Sequence, residues 1–134
     1  MGGSSELVKG KIEKVLLVDD DSNIRLITEM TLQGLTDWKI CLAESGQEAL
    51  TKIAEDCPDL VLLDMMMPDM DGLTVFAQMK GKLGKATPPV IFMTAKVQRQ
   101  EVDRYKSMGA AGIIMKPFDP MTLPEQIYAI LSAS

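Results

Sequence analysis

Four short apolar runs in this 134-residue chain each end on a residue able to do chemistry. Residues 15–18 (Val-Leu-Leu-Val) run into Asp19-Asp20-Asp21, residues 60–63 into Asp64, residues 90–93 into Thr94, and residues 113–115 into Lys116. Three adjacent carboxylates repel one another unless they hold protons or recruit a cation. An all-oxygen donor set suits a hard ion, and Mg²⁺ uses only one or two carboxylates, completing its octahedron with waters and phosphate oxygens. That leaves a carboxylate free to attack phosphorus and become an aspartyl phosphate, provided the charge on the transferring group is neutralised. Mg²⁺ and the Lys116 ammonium can supply that charge. Thr94, and backbone N–H groups beyond Asp64 or Thr94, can donate hydrogen bonds to phosphoryl oxygens.

The composition narrows the alternatives. The chain has no histidine, which excludes a Ser-His-Asp triad, an HExxH metal helix, an imidazole base and a phosphohistidine. The formal charge of -5, from 14 Lys and Arg against 19 Asp and Glu, argues against direct nucleic-acid contact. Cys41 and Cys57 have no Cys-x-x-Cys spacing and read as reduced thiols. Residues 1–11 read as a flexible lead or cloning remnant, without the apolar stretch of a signal peptide. No apolar run approaches the ~18 residues of a membrane helix, so the expectation is a cytoplasmic protein with one domain over residues 12–134.

Those four run ends must be brought together by the elements between them. Apolar, β-branched runs predict strands at 15–18, 39–43, 60–63, 90–93 and 113–115. Amphipathic stretches predict helices at 24–35, 47–54, 73–83, 98–107 and 123–131. The strands are nearly continuous in hydrophobicity, as in a parallel sheet covered on both faces, and no Asn-Gly or Asp-Gly turn joins neighbours as in a hairpin. Asp21 or Ser22 is expected to cap the first helix and Ser45 the second, with Gly34 and Gly84 at helix ends. Right-handed crossovers then favour an α/β, flavodoxin-like, doubly wound sheet in the order 2-1-3-4-5 with five helices, its ligand crevice at the strand C-termini.

With these residues placed, the chain resembles the receiver domains of two-component response regulators. The likeness is carried by Val15-Leu16-Leu17-Val18-Asp19-Asp20, by residues 60–72 (Leu-Val-Leu-Leu-Asp-Met-Met-Met-Pro-Asp-Met-Asp-Gly), by Val90-Ile91-Phe92-Met93-Thr94-Ala95 and by Lys116-Pro117-Phe118. It runs from about Val15 to Leu131. The resemblance implies that Asp64 is the phosphoacceptor and that Asp19, Asp20, Asp64 and the Met66 carbonyl hold Mg²⁺. It further implies that Thr94 is the switch hydroxyl and Lys116 the phosphate-binding ammonium, next to a Pro117 whose peptide bond is cis in the family. The implied donor is a sensor histidine kinase or histidine phosphotransfer protein. The implied output is a partner docked on the face of the fourth helix, fifth strand and fifth helix, where Val97, Val102, Ile113 and Met115 form a candidate patch. Such a domain catalyses only its own phosphorylation and dephosphorylation.

Two features depart from the family pattern. Ile113 stands where a switch aromatic is usual. Met66 and Lys96, two residues beyond Asp64 and Thr94, offer no carboxylate or amide to orient an attacking water, so slow self-dephosphorylation is expected. The chief rival is a haloacid-dehalogenase-like phosphatase using Asp69-Met70-Asp71, although Asp69 follows Pro68 in a loop instead of ending an apolar strand. A flavodoxin-like electron carrier is disfavoured because three acids would repel the FMN phosphate. The length leaves no room for a covalent output domain, so the domain is expected either to act by docking or to be cut from a longer regulator or hybrid kinase.

Overall fold

In a computed structural model, which describes residues 12–95 and 98–133, alternate strand residues feed two separate cores. Val15, Leu17, Leu60, Leu62, Ile91, Met93 and Ile114 pack on one face of the sheet, and Leu16, Val18, Val61, Leu63, Val90 and Phe92 on the other. A strand buried on both faces has no reason to alternate in hydropathy, which is why the sequence runs look uniform.

The strands are β1 (Lys14–Val18), β2 (Lys39–Ala43), β3 (Leu60–Asp64), β4 (Val90–Thr94) and β5 (Gly112–Met115), all parallel, in the order β2-β1-β3-β4-β5. Between and after them lie α1 (Ser22–Leu35), α2 (Gly46–Glu55), α3 (Gly72–Leu83), α4 (Arg99–Ser107) and α5 (Leu123–Ala133), with 3₁₀ turns at Gly84–Ala86 and Pro120–Thr122. Leu32 of α1 and Leu123, Ile127 and Leu131 of α5 cover the first face. Ala49, Leu50 and Ile53 of α2, Val75, Phe76 and Met79 of α3 and Tyr105 of α4 cover the second. The expected doubly wound architecture is therefore present in full.

Local chemistry sets the helix boundaries. Asp21, not Ser22, caps α1, accepting from the N–H groups of Asn23 (2.8 Å) and Ile24 (3.3 Å). The Ser45 hydroxyl accepts from Glu48 N–H at 3.1 Å to cap α2. Gly84 closes α3 with φ 53°, a positive φ that favours glycine. Gly34 does not end α1: the helix runs on to Leu35, and both the N–H and the hydroxyl of Thr36 bond the Leu32 carbonyl. A side chain that can satisfy a terminal carbonyl itself makes a C-terminal glycine unnecessary. Cys41 and Cys57 are free thiols, and the expected lead at 1–11 lies outside the described residues. Among the described residues no helix is long and apolar enough to cross a membrane.

Candidate functional site

The register of the two central strands brings the acids together. Val18 of β1 pairs with Leu63 of β3, so the next residue on each strand, Asp19 and Asp64, emerges at the same level. Neighbouring strands lie ~4.8 Å apart. Asp19 and Asp64 also share the parity of Leu17 and Leu62, so both side chains leave the sheet on the α1/α5 side. Oxygens of Asp19, Asp20 and Asp64 all lie within 4.8 Å of one another. Asp19 and Asp64 are buried while Asp20 is exposed.

Among the described residues, one cation pairs with this cluster, and it comes from the far edge strand. Thr94 pairs with Met115, and the next residue, Lys116, donates its N–H to the Thr94 carbonyl at 2.9 Å. The following peptide bond, Lys116–Pro117, is cis. The Lys116 ammonium sits 2.7 Å from Oδ2 of Asp19 and 3.3 Å from Oδ1 of Asp64. Thr94 is itself buried at the end of β4 and borders a cleft of about 500 Å³ with Met65, Met66, Ala95, Glu101 and Tyr105.

Burial is the largest single influence on both Asp64 and Lys116. Burial, helped by the Asp19 charge, lifts the Asp64 carboxyl to about 6, against the opposing effects of the Met66 N–H and Lys116. Burial alone would lower the Lys116 ammonium, but hydrogen bonding and charge from Asp19, with Asp64 behind them, hold it above its ordinary value. Oδ1 of Asp19 accepts from Asp21 N–H at 2.9 Å. Its Oδ2 is buried and, apart from the Lys116 charge, meets no well-angled donor. Three convergent carboxylates, one lysine and a buried oxygen with spare acceptor capacity fit a hard divalent cation.

Every site residue expected from the strand ends, Asp19, Asp20, Asp64, Thr94 and Lys116, lies at this edge of the sheet. Met66 follows in the β3–α3 loop, its N–H bonded to Oδ1 of Asp64 at 3.2 Å and its side chain 77% exposed. Val97 and Lys96 lie outside the described residues. Ile113 is aliphatic and half-buried, and its strand partner Phe92 meets two rings edge-on, Phe76 of α3 at 5.3 Å and Tyr105 of α4 at 5.2 Å. The residues of the rival phosphatase reading have structural employment instead. Asp69 accepts from the N–H groups of Gly46 (3.2 Å) and Gln47 (3.1 Å) at the start of α2, and Asp71 caps α3 through Thr74 N–H at 2.8 Å.

Sequence reasoning missed Arg25. Its guanidinium reaches back from α1 to donate to the Asp19 carbonyl at 2.7 Å and lies 3.4 Å from Glu44. The available signal was its place one turn into the helix that follows the acids.

Residues 15–128 match the family described as response regulator receiver domain. The transcriptional regulatory protein ResD of Bacillus subtilis is 39% identical over 118 residues, covering 88% of this chain and 48% of that protein. Among solved structures, the chemotaxis response regulator CheY4 of Vibrio cholerae aligns with a TM-score of 0.80 at 29% identity, over 90% of this chain and 99% of that one. The signal receiver domain of a histidine kinase from Syntrophus aciditrophicus aligns with a TM-score of 0.74 at 27% identity, over 90% and 91% of the two chains. This chain spans about half the length of the curated relatives it matches.

Proposed function

This chain belongs to the response regulator receiver-domain family, and from that premise we propose how its residues divide the work of a phosphoacceptor switch. Receiver domains act on themselves, through a histidine kinase or a histidine phosphotransfer protein as donor, and do not turn over external substrates. In our assignment Asp64 is the acceptor. One of its carboxylate oxygens attacks the phosphorus of the partner's phosphohistidine, a P–O bond forms as the P–N bond breaks, and the departing imidazole keeps the bonding electrons. Asp19, Asp20, Asp64 and the Met66 carbonyl would hold Mg²⁺, which when bound supplies positive charge to the phosphoryl oxygens. Lys116 supplies the second positive charge, and the Thr94 hydroxyl donates to a phosphoryl oxygen at the end of β4.

The observation that carries this reading is the Lys116 ammonium shared by two buried carboxylates on adjacent strands, with a third carboxylate beside them. A nucleophile poised in this way needs a donor, and a chain without histidine must take the phosphoryl group from outside. We place this exchange in the cytoplasm, where a kinase or phosphotransfer partner would meet it.

The output in our reading is the face formed by α4, β5 and α5. A groove of about 580 Å³ there is lined by Val102, Ile113, Met115 and Ile130 among others, and Met115 is 57% exposed. Phosphorylation biases an existing equilibrium of this face and so controls what docks on it.

The test is chemical. Incubation with Mg²⁺ and acetyl phosphate should add one phosphoryl group to the intact mass, and Asp64→Asn should abolish the addition. Multiple-turnover release of phosphate from assorted phosphoesters would overturn the reading.

A further inference from the structure

We propose that Arg25 is a positioning residue for the cation site, orienting the Asp19–Asp20 peptide so that Asp20 meets the ion, while Glu44 cancels the charge this requires. The inference rests on the metal assignment above and extends it to two residues that touch no ligand atom. Asp19 is held on every side: its N–H donates to Ala43 O at 3.1 Å, its Oδ1 accepts from Asp21 N–H, and its Oδ2 faces Lys116. Its carbonyl, however, belongs to the planar peptide unit that leads into Asp20. The Arg25 guanidinium fixes that carbonyl at 2.7 Å, and with it the direction in which the exposed Asp20 leaves the chain. Arg25 is itself well placed to do this, since its own N–H bonds Asp21 O in the first turn of α1 at 3.1 Å and its side chain is only 15% exposed.

A guanidinium beside a cation site has an obvious drawback, because like charges repel. Glu44, one residue beyond the end of β2, places Oε2 3.4 Å from the same guanidinium. The pair therefore delivers a hydrogen bond to the ligand-bearing backbone while adding little net charge. Groups that orient metal ligands from behind typically change affinity by ~10–100-fold.

Two ideas predict opposite signs, which makes the test decisive. If Arg25 acts only as a nearby positive charge, Arg25→Met removes repulsion and Mg²⁺ binds more tightly. If Arg25 orients Asp20, the same change weakens Mg²⁺ binding by about tenfold, at the low end for such groups. The metal-depleted full chain is titrated calorimetrically with MgCl₂ at low and high salt, and unfolding in EDTA is followed in parallel, since a loss of stability alone does not alter the affinity of the folded fraction. Arg25→Lys, which keeps a donor and the charge, should stay close to wild type. Arg25→Gln repeats the truncation with a strong helix former should Arg25→Met fold poorly. Equal or tighter binding by the truncated variants, with Mg²⁺ bound by the wild type, overturns the positioning role alone. A wild-type chain that takes up no Mg²⁺ overturns the metal assignment and this inference together.

Discussion

Lys116 lies closer to Asp19, at 2.7 Å, than to Asp64, at 3.3 Å. The ammonium is thus held chiefly by a carboxylate that we assign to the metal and is within reach of the one we assign to phosphorus. Removing it leaves two buried acids facing each other. Loss of one partner of a buried pair costs ~3–5 kcal/mol, and at this half-open edge Lys116→Met is expected to cost about 2–4 kcal/mol in EDTA. Saturating Mg²⁺ should restore more stability to this variant than to the wild type, because the ion replaces the missing charge. Urea unfolding with and without Mg²⁺ checks both statements, and a variant as stable as wild type in EDTA would mean that the acids are not coupled through Lys116.

The raised Asp64 carboxyl sets a pH dependence. With a folded value of about 6 against ~3.9 for an unperturbed Asp, the folded state holds a proton that the unfolded chain releases. Stability in EDTA therefore falls as pH rises from about 4 to 6, and the penalty is fully present above that window. Lys116, also raised, contributes stability that is lost only as pH rises through a value above the ordinary lysine range, so it does not mask the effect. At neutral pH Asp64→Asn should stabilise the metal-free protein by about 1–3 kcal/mol, with the gain vanishing near pH 4. Thermal melts across this range provide the measurement, and a gain that persists at pH 4 would contradict the mechanism.

The strand ends and the helix faces were legible in the sequence because each depends on short-range pattern: an apolar run, then Asp19, Asp64, Thr94 or Lys116. The strand order that makes Asp19 and Asp64 neighbours was legible only as the commonest solution to five βα units. Arg25 and Glu44 were not, since a bond from a helix side chain to a strand-end carbonyl leaves no periodic trace. Nor were the duties of Asp69, which caps a helix 22 residues earlier in the chain. Trp38, the single tryptophan, precedes β2 and packs on Tyr128, at the opposite end of the sheet from the acids. Its emission is consequently a poor reporter of events at Asp64, and intact mass is the better one.

Met66 bears on how long a phosphoryl group stays. Two residues beyond Asp64, it exposes a thioether that can neither orient nor deprotonate an attacking water. The phosphorylated wild type should decay slowly, and Met66→Asn should shorten the lifetime by about tenfold or more by placing an amide beside the bond. Loss of phosphate followed by mass after removal of donor is the check. A lifetime of seconds that Met66→Asn leaves unchanged would refute the assignment of Met66 as the limiting residue.

Gly72 fixes the loop that carries Met66. Its N–H bonds Met65 O at 3.1 Å, and a Cβ here would stand 2.8 Å from the Asp64 carbonyl oxygen and 3.0 Å from the Met65 Cα. Backbone atoms cannot step aside as a flexible side chain can, so Gly72→Ala should cost about 1–3 kcal/mol. It should also weaken Mg²⁺ binding, since the β3–α3 loop shifts. Calorimetric titration of the folded variant with MgCl₂ tests the second effect, and unchanged affinity would show that the loop tolerates the displacement.

Asp69 separates the receiver reading from the phosphatase one. Burial pushes its carboxyl up, but N–H groups of Gln47, Gly46, Asp69 and Met70 outweigh that and hold it below the ordinary carboxylate range. Its contribution to stability is accordingly present at neutral pH and is lost as pH falls below about 4. The side chain serves the first turn of α2 from another loop, where a carboxylate meets unpaired N–H groups and the positive end of the helix dipole. Asp69→Ala should therefore lower stability by about 1 kcal/mol, in line with the loss of an N-terminal cap, and leave phosphoryl uptake from acetyl phosphate intact. A phosphatase with Asp69 as its nucleophile demands the reverse, full stability and no aspartyl phosphate. Intact-mass measurement beside a urea melt decides between them on one sample, because the two readings assign the same carboxylate to incompatible tasks.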